Sequence, residues 1–262
     1  MKQRIVTGVI AAAAFLPIVL YGGWPLLILT YLIGTIGLQE ALKMKRIPLI
    51  SLPGLISVIL LWILLIPDRF TPVIQEMGYD KLQLALLTVL VFLTYTVLSK
   101  NQFTFEGVGF SVLSALYVGL GFYYLFETRE ASAAYIFLAL FIVYATDSGA
   151  YFVGRAMGKN KLWPEISPNK TVEGSIGGIV SAVVIAAIFA FLADLQISFP
   201  KLLISTVLLS VFGQIGDLVE SALKRHYNVK DSGNILPGHG GILDRFDSLL
   251  FVLPLLHILQ LV

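Results

Sequence analysis

Apolar residues in this chain come in long blocks, mostly about 16 to 22 residues each, that recur from one end to the other. Nine blocks stand out, at residues 5–21, 24–38, 48–67, 82–99, 107–126, 132–153, 175–194, 202–223 and 243–262. A helix rises about 1.5 Å per residue, so blocks of this length suit the roughly 30 Å hydrocarbon core of a bilayer. None shows the in-out alternation of a barrel strand, and a helix satisfies its own backbone hydrogen bonds in lipid. The expected fold is all-α, a polytopic membrane protein with about nine transmembrane helices. Gly22-Gly23-Trp24-Pro25 predicts a tight turn between the first two blocks, whose shortness suggests a hairpin that does not fully cross. The first block has the look of a signal peptide, but Ala11 to Ala14 lie inside the apolar run, with no cleavage site after it. It reads as a retained first span.

Composition agrees: 57% of residues are hydrophobic and 13% charged, with a mean hydropathy of +0.87. Cysteine is absent, which removes a disulfide frame and a thiolate metal site. The net charge of +2 decides little, whereas its distribution is informative. Alternating the joints between two faces puts fourteen of the eighteen Lys and Arg on one side: Lys2, Arg4, Lys43, Lys45, Arg46, Lys100, Arg155, Lys159, Lys161, Lys170, Lys224, Arg225, Lys230 and Arg245. Arg69, Lys81, Arg129 and Lys201 fall on the other. The positive-inside rule then makes the N-terminus cytoplasmic and the C-terminus external. No repeat, linker or soluble domain interrupts the pattern. Residues 1–262 read as one membrane domain, the N-terminal half mainly scaffold and 132–262 carrying the chemistry.

Two cytoplasmic joints are long enough to hold a site: Gly154 to Gly174, and Ser221 to Asp247. Carboxylates lie in or beside the spans at Asp147, Asp217, Glu220, Asp244 and Asp247, and at membrane depth these are costly unless paired or facing water. For Glu220, pairing with a neighbouring Lys or Arg and a functional role weigh equally. Asp217 shares a helical face with Glu220 and Ser221, and Asp244 and Asp247 are three apart, which predicts one face at the start of the last span. Two acidic faces bracketing a polar loop suit a hard cation such as Mg²⁺, which takes carboxylate oxygens, waters and substrate phosphates. Between them Lys224, Arg225, Lys230 and Arg245 offer donors to phosphate. Gly233, Gly238, Gly240 and Gly241 would let backbone approach an anion. His239, flanked by glycines, is a candidate for substrate contact. In the other joint Ser167, Asn169 and Thr171 set hydroxyl and amide groups beside Lys170, but the spacing is not that of a P-loop, a dinucleotide fingerprint or a zinc motif.

Ser221, Lys224-Arg225, Lys230-Asp231-Ser232, Pro237-Gly238-His239-Gly240-Gly241 and Asp244-Arg245-Phe246-Asp247 together resemble the signature of the phosphatidate cytidylyltransferases, or CDP-diacylglycerol synthases. Asp147-Ser148-Gly149-Ala150-Tyr151 and Ser167 to Gly174 resemble the same family, while the first hundred residues match only in being hydrophobic. The resemblance implies that CTP and phosphatidic acid give CDP-diacylglycerol and pyrophosphate, with Mg²⁺ required. On that reading Asp217 and Asp244 hold Mg²⁺, with Asp247 and Asp147 as further ligands or supporting groups. Lys224, Arg225, Lys230 and Arg245 take phosphates. Ser221, Asp231, His239, Gly240 and Gly241 line the substrate site, and Ser167, Asn169, Lys170 and Thr171 close over the nucleotide. The expected partners are the two substrates and membrane lipid, with no nucleic acid and, by resemblance, a second copy in a homodimer. The implied location is a bacterial inner membrane, with the site facing the cytoplasm. Two rivals remain: a transporter of an anionic solute, since buried acids and Gly213 to Gly216 also suit a pathway, and a CTP-dependent lipid kinase. Small residues on the seventh block, Gly177, Gly178, Ala182, Ala186 and Ala187, predict close helix packing within the chain or with a partner.

Overall fold

A computed structural model describes residues 2–193 and 195–262 of the chain. The side chains of Lys2 and Arg4, two of the basic residues assigned to the cytoplasmic face, lie outside the described residues. The chain divides into two compact units, Met1–Glu127 with Asp231–Leu243, and Thr128–Lys230 with Asp244–Val262.

The first unit is helical. Helix α1 (Lys2–Tyr21) and α2 (Gly23–Met44) are joined through Gly22 and Gly23, with φ of 71° and 55°, a left-handed pair that only glycine adopts without strain. At 22 residues, α2 is longer than its apolar block and is of full crossing length, while the apolar part of α1, Val6–Tyr21, is shorter, as expected for the first arm of the hairpin. The apolar run ends near Leu38, but Gln39, Glu40, Ala41 and Leu42 are good helix formers and carry the helix on.

The third block is not straight. Helix α3 (Leu52–Leu64) and α4 (Thr71–Glu76), the latter preceded by a 3₁₀ turn at Asp68–Phe70, meet at an angle of 88°. Pro67, held at φ −65°, starts the turn and disfavours helix at the residue before it. Lys81 Nζ donates to the Ile66 carbonyl freed at the bend (3.0 Å), and Tyr123 donates its hydroxyl to Asp68 (2.7 Å). Helices α5 (Lys81–Leu98) and α6 (Phe105–Ala131) complete the set, α5 started by a reciprocal Asp80/Gln83 capping box. Leu26, Leu38, Leu42, Leu60, Leu61, Val118 and Phe122 are fully or almost fully buried.

In the second unit α7 (Ala133–Met157), α8 (Val172–Leu192) and α9 (Phe199–His226) pack closely, followed by α10 (Leu243–Phe246) and α11 (Leu249–Ile258). Small residues set the spacing: a Cβ on Gly149 would lie 2.2 Å from Ser181 Oγ, one on Gly177 2.5 Å from Val153, and one on Gly178 2.7 Å from the Thr146 carbonyl. Ala182 and Ala186 are fully buried on the same helix. The predicted small-residue face is therefore used within the chain. Between α7 and α8 the expected loop contains a short antiparallel hairpin, β1 (Lys161–Trp163) and β2 (Ser167–Thr171), the exception to an otherwise helical chain.

Among the described residues six helices are long and apolar enough to cross a membrane, α2 and α5 to α9; α3 with α4 forms one bent pair, and α1 and α11 are shorter apolar helices. The ninth block is thus not one continuous helix. It breaks at Asp247 and Ser248, and its apolar part starts at Leu249.

Candidate active site

Helix α7 reaches the hairpin just past Arg155, α8 begins where the hairpin ends, and the C-terminal half of α9 carries Gln214, Asp217, Glu220, Ser221 and Lys224, so polar groups from all three collect at one end of the second unit. They enclose a cleft of about 480 Å³ lined by Asp147, Arg155, Asn169, Lys170, Gln214 and Asp217, with Tyr151, Leu162 and Ser175 among the other walls. Thr171 N-caps α8, its hydroxyl accepting the Gly174 amide (3.1 Å), and so aligns β2 with the helix start. Glu173 accepts the backbone amides of Lys159 (3.1 Å) and Asn160 (3.2 Å) and the Asn160 side chain (2.7 Å), which fixes the entry to the hairpin.

Within the cleft Lys170 Nζ meets Asp217 at 2.6 Å, and Ser221 donates to the other Asp217 oxygen at 3.2 Å. Asp147 feels the charges of Asp217 and Lys170. Asp247 feels those of Asp217 and Asp147. Gly216 brings the chain this close: a Cβ there would sit 2.6 Å from the Asp247 carbonyl oxygen. Asp247 stands in the break between α10 and α11. Its carboxylate accepts the Ser248 amide at 2.7 Å.

A second ionic group lies on α9 and α10. Lys224 Nζ is shared between Glu220 (2.5 Å, one turn back) and Asp244 (2.6 Å), and all three side chains are at most 15% exposed. Glu220 therefore turns to Lys224 rather than joining Asp217. Asp244 takes Lys224 as its ion-pair partner, while Asp247 stands in the turn after α10 and accepts the Ser248 amide. The carboxylates grouped with Asp217 are Asp147 and Asp247, while Asp244 belongs with Lys224.

Other predicted residues stand apart from the cleft lining. Ser167 is half-buried in β2, Arg225 is exposed with its Nε near the Ile166 carbonyl (3.4 Å), and Lys230 and Arg245 are exposed. In the first unit Asp231 is exposed, and Gly238 and Gly240 adopt φ of 78° and 85° in a turn closed by the Leu236–Gly240 bridge. His239 is half-buried on that turn, and a Cβ on Gly8 of α1 would lie 3.1 Å from its Nε2.

Arg155, Tyr151 and Gln214 line the cleft although none of them was given a role in the site from the sequence. Glu40 is the larger omission. It is 6% exposed on α2 and accepts hydrogen bonds from the Ser232 hydroxyl and the Ile242 and Leu243 amides. The signal that could have found it is its place one turn past an apolar block, where a carboxylate is as notable as at Asp217.

Among the described residues no three His, Cys, Asp or Glu side chains converge into a ready-made metal cage. Mg²⁺ seldom uses one: one or two carboxylates, completed by waters and substrate phosphates, are its usual protein ligands. Asp147 and Asp217, the two carboxylates of the cleft lining, fit that mode.

Membrane-length helices with a cleft of carboxylates, cations and amides at their ends define an integral membrane protein built to handle a polyanion. The chain belongs to the cytidylyltransferase family, matching it over residues 2–262. It is 58% identical to the phosphatidate cytidylyltransferase of Bacillus subtilis over 262 residues, covering 99% of this chain and 97% of that protein. It is 51% identical to the phosphatidate cytidylyltransferase of Staphylococcus saprophyticus over 263 residues, covering 99% and 98%. The Staphylococcus haemolyticus protein of the same name is 49% identical over 259 residues, again covering 99% and 98%.

Proposed function

We propose that this protein transfers CMP from CTP to phosphatidic acid, giving CDP-diacylglycerol and pyrophosphate, as the names of its relatives indicate for them. The observation that carries the reading is the cleft, where Asp147 and Asp217 face Lys170, Arg155 and Asn169. A phosphatidate oxygen attacks the α-phosphorus of CTP in line; a P–O bond to the lipid forms and the bond to pyrophosphate breaks, with no covalent protein intermediate. The protein's contribution is positioning and charge neutralisation. Asp217, with Asp147 and Asp247, would hold Mg²⁺, which when bound offsets phosphate charge. Asp244 enters by orienting Lys224. In the second unit Lys170, Arg225, Lys230 and Arg245 supply cations to the phosphates, and Ser167, Asn169, Thr171 and Ser221 shape the substrate site; roles for Asp231, His239, Gly240 and Gly241 in substrate binding rest on the family resemblance of their sequence.

The reading includes nine crossings of a bacterial inner membrane, with a cytoplasmic N-terminus and site. Same-face pairings support it within each unit: Lys45 with Glu106 (2.7 Å) on the inner side, and Lys201 with the Gln260 carbonyl (2.6 Å) on the outer. The test is purified protein given CTP, phosphatidate and Mg²⁺, following pyrophosphate and lipid-linked CMP. Equimolar appearance of both is expected. Label from the γ-phosphate of CTP on the lipid would instead indicate a kinase and overturn the assignment.

A further inference from the structure

We infer that Glu40 is a positioning residue for the reaction, a carboxylate latch that holds the glycine loop 232–243 in shape; the inference rests on the transfer reaction proposed above. Glu40 lies near the end of α2, almost 200 residues before the loop. Its Oε1 accepts the Ile242 amide (3.0 Å), and its Oε2 accepts both the Leu243 amide (3.0 Å) and the Ser232 hydroxyl (3.1 Å). One side chain thereby ties the start of the loop to its end. A carboxylate this deep is costly unless its oxygens are hydrogen-bonded, and bonds to a charged acceptor are the stronger kind.

The glycines of the loop divide by task. Gly238 and Gly240 are needed for left-handed backbone in the turn. Gly233 and Gly241 are needed for room: a Cβ on Gly233 would lie 2.3 Å from Glu40 Oε1, and one on Gly241 2.4 Å from both Glu40 oxygens and 2.3 Å from Ser232 Oγ. Two glycines that read in sequence as openings for a phosphate also give this carboxylate its room. His239 lies between the latched ends, so the latch sets the loop that carries it.

The chemistry also requires an acid here rather than an amide. Each carboxylate oxygen accepts a backbone amide, so a glutamine of the same shape, whichever way it turns, points its NH₂ at a donor. A residue that only fills space would tolerate that exchange.

The experiment uses the full chain in lipid nanodiscs, with amide hydrogen exchange over residues 232–243 and steady-state kinetics in CTP, phosphatidate and Mg²⁺. Glu40→Gln should speed exchange in that peptide at least about tenfold, the loss of one charged hydrogen bond, while α7 to α9 keep wild-type protection. Its kcat/KM should fall about 100-fold, the scale of an ångström of misplacement. Ser232→Ala, which removes one of the three bonds, should give about a fivefold loss. Wild-type exchange in Glu40→Gln overturns the latch, and faster exchange with wild-type kinetics overturns its positioning role. If Glu40→Gln does not fold, Gly241→Ala replaces it: its Cβ must displace the carboxylate and raise exchange in the same peptide, and unchanged exchange overturns the latch. A wild-type protein that makes no lipid-linked CMP sinks the reaction assignment, while the exchange data still decide the latch.

Discussion

The two polar loops of this protein are held in opposite ways. The hairpin from Lys161 to Thr171 is organised by its neighbours in sequence: β1 pairs with β2, Thr171 caps the helix that follows, and Glu173 reaches back 13 and 14 positions to Asn160 and Lys159. The glycine loop has a single backbone bridge at Leu236 and Gly240, and its anchor, Glu40, is 202 and 203 positions from the amides it binds. A locally built loop can form whenever its own segment is ordered, whereas a remotely anchored one forms only once α2 is in place, since closing so long a stretch of chain has an entropic cost that only the finished fold offsets. Loss of a local cap should therefore be mild, and loss of a remote carboxylate or cation severe.

The largest effect should come where the hairpin itself acquires a remote partner. Lys170 of β2 meets Asp217 of α9, and Asp217→Asn removes both that ion pair and a candidate metal oxygen. Pyrophosphate release should fall about 1000-fold with helicity unchanged, the upper range for losing one electrostatic stabiliser; activity within tenfold of wild type would remove Asp217 from the site. Next is Lys224→Met, which leaves Glu220 and Asp244 without their shared cation. Removing one partner of a buried pair costs about 3–5 kcal/mol, to be read from denaturation in detergent. Gly149→Ala should follow, because its Cβ would fall 2.2 Å from Ser181 Oγ and prise α7 from α8. Overpacking of this kind costs about 1–3 kcal/mol, and a variant as stable as wild type would show that the two helices can move apart freely. The smallest effect belongs to the local cap: Thr171→Ala should lower stability by about 1 kcal/mol, and a loss as large as that of Lys224→Met would erase the distinction between the two loops.

Much of the helical framework was legible because hydropathy is a property of the segment alone. All nine apolar blocks contain helix, and the glycine turn at Gly22 and Gly23 stands where the sequence put it. Pro67 was visible, but the 88° bend was not, because its freed carbonyl is satisfied by Lys81 from another helix. The ion pair of Asp244 with Lys224, 20 positions earlier, was not visible in the spacing of Asp244 and Asp247. Glu40 escaped notice because, beside Gln39, Lys43 and Lys45, it looks like any residue of a helix end facing water. The polar stretch from Ser221 to Asp247 read as one element, yet its middle, Asp231 to Leu243, belongs to one compact unit and its flanks to the other.

The sequence by itself determined the membrane character, the nine apolar blocks, the uneven distribution of basic charge and the supply of carboxylates, cations and glycines, since each of these is read along the chain without knowing what folds against it. Only the tertiary structure decided partnership: Asp217 with Lys170, Lys224 between Glu220 and Asp244, and Glu40 inside the glycine loop. A charged or hydrogen-bonded pair depends on a few ångströms between atoms, and for residues far apart in sequence that distance is a property of the whole fold.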